Sequence, residues 1–240
     1  VNIDHATPAA FYAHQKTRKN YYQIGVELAN SGFEYFAGGE FQKVNGDGTG
    51  PNNHEVAAQA GYNVVTTQAG AAALKAGADK TLIIAENLAD GKSMNYAMDA
   101  APGEWQLTDY VRKGIELLDN SNGFFMMVES GKIDWACHAN DAAASIHDVI
   151  EMHNAVQAAV EFYAQHPNDT LILVTADHET GGLGIGYKTT NYDTFLTNLA
   201  HQKMSYAKFD STYVNNYVKN QTPFETAMQD VKANFGLTLP

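Results

Sequence analysis

Two continuous runs of apolar residues, 123–128 and 170–175, constrain the fold of this chain more than any other feature. Each run has the length of a β-strand, and strands without polar alternation are typical of a parallel sheet that helices cover on both faces. The segment between them, residues 139–165, places Ala, Ile, Val and Met on one stripe and predicts a long helix. This order predicts a strand–helix–strand crossover, which is normally right-handed.

Strands and helices alternate in the rest of the first 185 residues. Glycine-rich and polar turns separate predicted strands at 32–39, 62–66 and 81–85. Predicted helices lie between them, at 53–60, 68–76 and 105–118, and an earlier one begins with Thr7 as its N-cap. The alternation predicts a layered α/β architecture.

The character of the chain changes near residue 186, after which Tyr and Asn become frequent. A final helix is predicted at 224–235. We therefore expect two regions, an α/β core over 1–185 and a helical insertion over 186–240 that packs on the core.

Charge and composition exclude several classes of protein. The 15 basic and 27 acidic residues give a net charge of −12, which argues against nucleic-acid binding through counterion release. Cys137 is the single cysteine and excludes an internal disulfide framework and an all-thiolate metal site. No run reaches the roughly 18 apolar residues of a membrane helix. Residues 1–5 do not read as a signal peptide, so a mature or truncated chain is expected.

Potential metal ligands follow both apolar runs. Glu129, Asp134 and His138 come after the first run, and Asp177 and His178 come after the second. Because the carboxyl ends of parallel strands lie at one edge of a sheet, we expect the two groups to meet in space. Asp134 and His138 are four residues apart, so one helical turn places them on the same face, where they can share a cation.

The donor types indicate which ions would fit. A carboxylate with an imidazole suits Zn²⁺, whereas Glu129 with its oxygen donors suits Mg²⁺. Each pair also has a plainer interpretation, because Asp-x-x-x-His on a helix is often a surface pair and Asp-His after a strand is often a capping turn. Their position at two neighbouring strand ends favours metal binding.

These segments resemble those of a known family. ESGKIDWACHAND at 129–141 and TADHETGG at 175–182 closely resemble the signature segments of bacterial alkaline phosphatases. HATPAAFYAH at 5–14, followed by Arg18, resembles the segment after that family's nucleophile. The resemblance implies a three-layer α/β sandwich with a largely parallel central sheet. It also implies hydrolysis of phosphate monoesters through a phosphoserine intermediate.

The resemblance further implies a ligand set for two zinc ions and one magnesium ion. Asp134 and His138 are assigned to one zinc, and Asp177 and His178 are assigned to the other. Glu129 and Thr7 are assigned to the magnesium. Arg18 resembles the catalytic arginine whose guanidinium holds two phosphate oxygens. Family members have either Asp or His at the position of His5. His5 is assigned to phosphate binding, where it acts through water or favours an ion other than magnesium.

The sequence also departs from the family's pattern. The nucleophile motif, Asp-Ser-Ala followed by small residues, does not occur, and Asp210-Ser211-Thr212 lies in a different context. The late His-Thr-Gly segment with the last zinc histidine does not occur either. We therefore expect the middle piece of an alkaline phosphatase, inactive alone, whose parent is a periplasmic or secreted homodimer. The alternatives are a noncatalytic metal- or phosphate-binding domain and a related metal-dependent sulfatase or phosphomutase.

Overall fold

Strand β3 (Thr81–Ile84) is the central strand of a three-stranded parallel sheet, between β1 (Tyr35–Gly38) and β2 (Asn63–Val65). The structure is a computed structural model that describes residues 1–184 and 193–238. Thr81 is in register with Tyr35 on one side and with Asn63 on the other. All four residues of β3 are buried, as expected for a parallel strand that is covered on both faces. The strands predicted in this part of the sequence are confirmed.

Helices cover both faces of this sheet. Successive side chains of β3 point to opposite faces, so they enter two different clusters of buried residues. Leu82 and Ile84 pack in one cluster of buried residues, and Ile83 packs in a second cluster. The first cluster includes side chains of α1 (Ala6–Tyr12), α2 (Tyr21–Asn30) and α3 (Asn53–Gln59). The second includes side chains of α4 (Gln68–Ala73) and α5 (Leu107–Leu118).

The remaining helices follow in the second half of the chain. They are α6 (Lys132–His138), α7 (Ala142–Gln165), α8 (Tyr206–Phe209), α9 (Asn215–Asn220) and α10 (Phe224–Phe235). Buried Phe209 joins α8 to α10 through an edge-to-face contact with Phe235, at 5.0 Å between ring centroids. The predicted helix at 224–235 is confirmed at both ends. No described helix combines the length and apolar composition that a membrane span requires.

The chain divides into two compact units. The sheet unit consists of Val1–Asn95, Ala101–Ser130 and Glu151–Ile172, and the helical unit consists of Tyr96–Ala100, Gly131–Ile150 and Leu173–Pro240. Helix α7 runs from one unit into the other. The predicted boundary between residues 185 and 186 lies outside the described residues, so that division stays a prediction.

The two apolar runs do not form strands. Residues 123–128 and 170–175 pair with no strand of the described chain, so the predicted crossover between them is wrong. A strand exists only where a neighbour completes its ladder of hydrogen bonds. Leu171 and Leu173 are each 80% exposed, whereas Met126 and Val128 pack against α5 and α7 inside the sheet unit.

Helix α1 begins earlier than the sequence predicts. Its N-cap is His5 and its first residue is Ala6, so Thr7 lies inside the first turn and does not cap it. Pro8 is tolerated there because the first N–H groups of a helix have no intrahelical acceptor. The N-cap prediction for Thr7 is therefore wrong.

Candidate metal and phosphate site

Helix α6 carries the first Asp/His pair. Asp134 and His138 lie one turn apart, and the Asp134 Oδ1 and His138 Nε2 atoms are 3.5 Å apart. The Asp134 side chain is 35% exposed and that of His138 is 71% exposed, so both remain accessible to an ion. The predicted helical turn is confirmed.

The second pair lies in the loop that follows residue 175. The Asp177 Oδ1 atom accepts a hydrogen bond from the backbone N–H of His178 at 3.0 Å, which curls the two side chains toward each other. The Asp177 Oδ2 atom then lies 3.4 Å from the His178 Nε2 atom. More than half of each side chain is exposed.

Both separations are longer than an ordinary hydrogen bond. An N–H···O bond normally spans about 2.7–3.2 Å. Two ligands at about 2.0–2.1 Å from a tetrahedral zinc ion lie about 3.3–3.4 Å from each other. Each pair has the donor types that zinc takes, and the assignment of the two pairs to zinc stays a prediction. Within residues 1–184 and 193–238, no three His, Cys, Asp or Glu side chains are grouped closely enough to hold an ion.

A threonine hydroxyl joins the two pairs within the helical unit. The Thr180 Oγ1 atom donates to the Asp134 Oδ1 atom at 2.6 Å and lies 3.2 Å from the His178 Nδ1 atom. Gly181 allows this close approach, because a Cβ atom there would stand 2.2 Å from the Cys137 carbonyl oxygen. Asp134 and His178 were predicted to meet, and they contact the same hydroxyl, although the sheet edge expected to bring them together is not formed.

A buried lysine supports the start of α6. The Lys132 Nζ atom lies 4.1 Å from the ring centroid of Tyr96 and 4.5 Å from that of Trp135, and the residue is only 4% exposed. The negative ring faces offset part of the cost of removing the ammonium group from water. The spacing of Lys132 and Trp135 on one helix was the available sequence signal, but Tyr96 is too distant in sequence to be anticipated.

The predicted phosphate-binding residues lie together in the sheet unit. The Arg18 Nη2 atom is 3.2 Å from the His5 Nε2 atom, and the His5 ring stacks on Tyr21 at 6.3 Å between centroids. Arg18 is exposed and His5 is half-buried, so the guanidinium group is accessible to an anion. Sequence reasoning assigned both residues but did not foresee their contact.

Asp4, next to His5, is a further buried acid that the sequence analysis did not single out. It is fully buried, and its Oδ2 atom accepts the backbone N–H of Gln42 at 2.8 Å. Burial is the main cause that raises the pKa of Asp4 to about 7, and the nearby Glu40 carboxylate adds to the effect.

The predicted magnesium ligands also lie in the sheet unit. Thr7 is in the first turn of α1, and the half-buried Glu129 ends the segment before α6. Among the described residues, no group of three or more His, Cys, Asp or Glu side chains lies close enough together to hold a magnesium ion. The assignment of Glu129 and Thr7 to magnesium stays a prediction.

Known proteins match most of the chain. The family model for alkaline phosphatase matches residues 32–235. Alkaline phosphatase 4 of Bacillus subtilis (strain 168) is 38% identical over 191 residues, covering 77% of this chain and 40% of the relative.

Two solved structures resemble the fold. The cold-active alkaline phosphatase of a psychrophilic Shewanella sp. superimposes with a TM-score of 0.80 at 27% identity, covering 99% of this chain and 55% of its own. A variant of TAB5 alkaline phosphatase with magnesium bound in its M3 site gives a TM-score of 0.59 at 27% identity, covering 70% of this chain and 47% of its own. This chain thus spans 40–55% of the length of these three relatives. The chain belongs to the alkaline phosphatase family.

Proposed function

We propose that this chain supplies two half zinc sites and a phosphate-binding arginine to a phosphomonoesterase that uses zinc and magnesium. The observation that carries the proposal is the pair of Asp/His contacts at 3.5 and 3.4 Å, joined through Thr180. Asp134 and His138 would hold one zinc, and Asp177 and His178 would hold the other. When bound, such a metal pair supplies Lewis-acid stabilisation to the attacking and leaving oxygens of a phosphoryl group.

Arg18 and His5 would bind the phosphate group. A guanidinium group offers two parallel N–H donors to two phosphate oxygens, a geometry that an ammonium group cannot reproduce. The contact between His5 and Arg18 restrains the long arginine side chain before the substrate arrives. Glu129 and Thr7 would hold magnesium, in keeping with their oxygen donors.

We propose that the isolated chain does not turn over substrate. Ser211 directly follows an aspartate, as the serine of the family's nucleophile motif does, and lies on an exposed π-helical turn, Asp210–Val214. Its hydroxyl donates to the Lys208 carbonyl oxygen at 3.1 Å. A hydroxyl bonded back into its own helix donates its proton to a carbonyl oxygen and not to a general base, so this contact does not activate it as a nucleophile. The complete protein, by the same proposal, is a periplasmic or secreted homodimer.

The test is zinc content after dialysis, measured with p-nitrophenyl phosphate hydrolysis on the same sample. We expect bound zinc without hydrolysis, and a lower zinc content in Asp134→Asn and in Asp177→Asn. Asp119→Asn, at an exposed aspartate at the end of α5, is the control and should keep the wild-type zinc content. Absence of zinc from the wild-type chain would overturn the metal assignment. Hydrolysis that Asp177→Ala abolishes would overturn the proposed inactivity.

A further inference from the structure

We propose that Thr180 is a positioning residue that couples the two half zinc sites by fixing both the Asp134 carboxylate and the His178 tautomer. The inference rests on the proposed function and deepens it, because it assigns a role to a residue that binds no metal itself. Its basis is the set of hydrogen bonds around one half-buried hydroxyl group.

The Thr180 hydroxyl proton is committed to Asp134. A carboxylate oxygen only accepts, so in the 2.6 Å contact the Thr180 Oγ1 atom is the donor. The accepting oxygen, Asp134 Oδ1, is the same atom that lies 3.5 Å from the His138 Nε2 atom. The hydroxyl therefore orients the particular oxygen that faces the first half site.

The neighbours of His178 fix the position of its ring proton. The His178 Nδ1 atom lies 3.2 Å from the Thr180 Oγ1 atom and 3.2 Å from the Glu179 carbonyl oxygen. The carbonyl oxygen only accepts, and the threonine proton points to Asp134, so both neighbours offer lone pairs to Nδ1. The Nδ1 atom then carries the proton in the neutral ring.

This tautomer leaves the lone pair of the His178 Nε2 atom toward Asp177. The Asp177 Oδ2 atom, 3.4 Å away, is also an acceptor. Two acceptors that face each other repel unless a proton or a metal cation lies between them, and the separation is close to that of two ligands of tetrahedral zinc. Thr180 thus prepares Nε2 of His178 and Oδ1 of Asp134 at the same time, as outer-shell partners of metal ligands do.

The experiment compares three variants of the full chain. Thr180→Val has nearly the same shape but lacks the hydroxyl, and Thr180→Ser retains the hydroxyl. Thr226→Val is the control, because Thr226 is exposed on α10, in the same unit but outside the site. Zinc affinity is measured by competition with a chromophoric chelator. The His178 tautomer is measured by ¹⁵N NMR at pH 8 without metal, in the wild type and in Thr180→Val. The His178 signal is assigned by its loss in His178→Gln.

We expect Thr180→Val to weaken zinc binding by about tenfold or more, as loss of an outer-shell partner does. It should also reduce the population of the Nδ1–H tautomer. Thr180→Ser and Thr226→Val should keep both properties near those of the wild type. Cobalt(II) bound in place of zinc should show shifted visible bands in Thr180→Val, since the ligand field changes when the carboxylate reorients.

Two results separate this inference from the proposed function. Wild-type zinc affinity together with an unchanged tautomer in Thr180→Val overturns the inference and leaves the zinc assignment standing. If the wild-type chain binds no zinc, the zinc assignment fails, and the tautomer measurement alone decides whether Thr180 orients His178. An Nε2–H tautomer in the wild type overturns the inference in either case.

Discussion

The Arg18 Nη2 atom lies 3.2 Å from the His5 Nε2 atom and 3.4 Å from the Nδ1 atom of the same ring. One end of the guanidinium group therefore lies against the imidazole ring, and the Arg18 side chain is exposed. His5 in turn stacks on Tyr21, so the arginine rests on a group that is itself held in place. The contact restrains the Arg18 side chain, which supports the proposed role of its guanidinium group in phosphate binding.

Arg18→Lys should weaken the binding of inorganic phosphate by about tenfold, or about 1.4 kcal/mol, because an ammonium group cannot donate two parallel hydrogen bonds to two oxygens. The measurement is ³¹P NMR titration at low ionic strength. Arg112→Lys is the matched control, since Arg112 is an exposed arginine paired with Glu161 on the surface. Equal phosphate affinity in the two lysine variants would contradict the assignment of Arg18.

The stability of the chain should depend on pH through Asp4. Its pKa is about 7 in the folded chain against 3.8 for a free carboxyl group. Between these values the unfolded chain loses the Asp4 proton while the folded chain keeps it, so folding stability falls as the pH rises from about 4 to about 7. The slope can approach about 1.4 kcal/mol per pH unit, and it levels off above pH 7.

Asp4→Asn should remove this part of the pH dependence, because an amide does not titrate. Urea unfolding at pH 4, 5.5, 7 and 8 measures it. Asp47→Asn serves as the control, since the Asp47 side chain is 73% exposed beside Lys43. An Asp4→Asn chain with the wild-type slope would show that another group titrates in this range.

Local sequence patterns predicted the elements that hold themselves together. A helix satisfies its hydrogen bonds within one segment, and α10 begins and ends where its pattern predicts. A strand depends on a neighbour, so the apolar character of residues 170–175 was not sufficient to make one. The sheet prediction succeeded only for the three strands that find partners in the described chain.

The same distinction applies to the site. Spacing alone placed Asp134 and His138 on one face of α6, because a helix fixes the geometry of residues four apart. The bond from Thr180 to Asp134 joins residues 46 positions apart and depends on how the loop packs against α6. No periodic pattern encodes such a contact, so the link between the two pairs could be seen only in three dimensions.

Asp141 should be important for the stability of the helical unit. Its buried carboxylate accepts hydrogen bonds from the Gln202 side chain at 2.7 Å and from the backbone N–H groups of Ala144 at 3.0 Å and Tyr206 at 2.8 Å. In Asp141→Asn, one of the two accepting oxygens is replaced by an NH₂ group. In either orientation of the amide, at least one of the three donors then faces another donor and loses its hydrogen bond. We expect a loss of about 1–3 kcal/mol in urea unfolding. Asp169→Asn, at an exposed aspartate, should change stability by less than about 0.5 kcal/mol.

Two adjacent glycines offer a direct test of how closely the ligand loop packs on α6. Gly181 has a φ of 79° and Gly182 a φ of 64°, so an alanine at either position costs about 1–2 kcal/mol in backbone strain. A Cβ atom at position 181 would also meet the Cys137 carbonyl oxygen at 2.2 Å, whereas no atom of the described residues lies within 4 Å of one at position 182. Backbone atoms cannot move aside as a flexible side chain can.

Gly181→Ala should therefore cost about 1–3 kcal/mol more than Gly182→Ala in urea unfolding, the range typical of overpacking. It should also weaken zinc binding, because a loop pushed away from α6 carries Thr180 out of reach of Asp134. Gly182→Ala should retain zinc affinity, since its strain is local and the contact with α6 is preserved. Equal losses of stability and of zinc affinity in the two variants would mean that the loop does not depend on this close approach to α6.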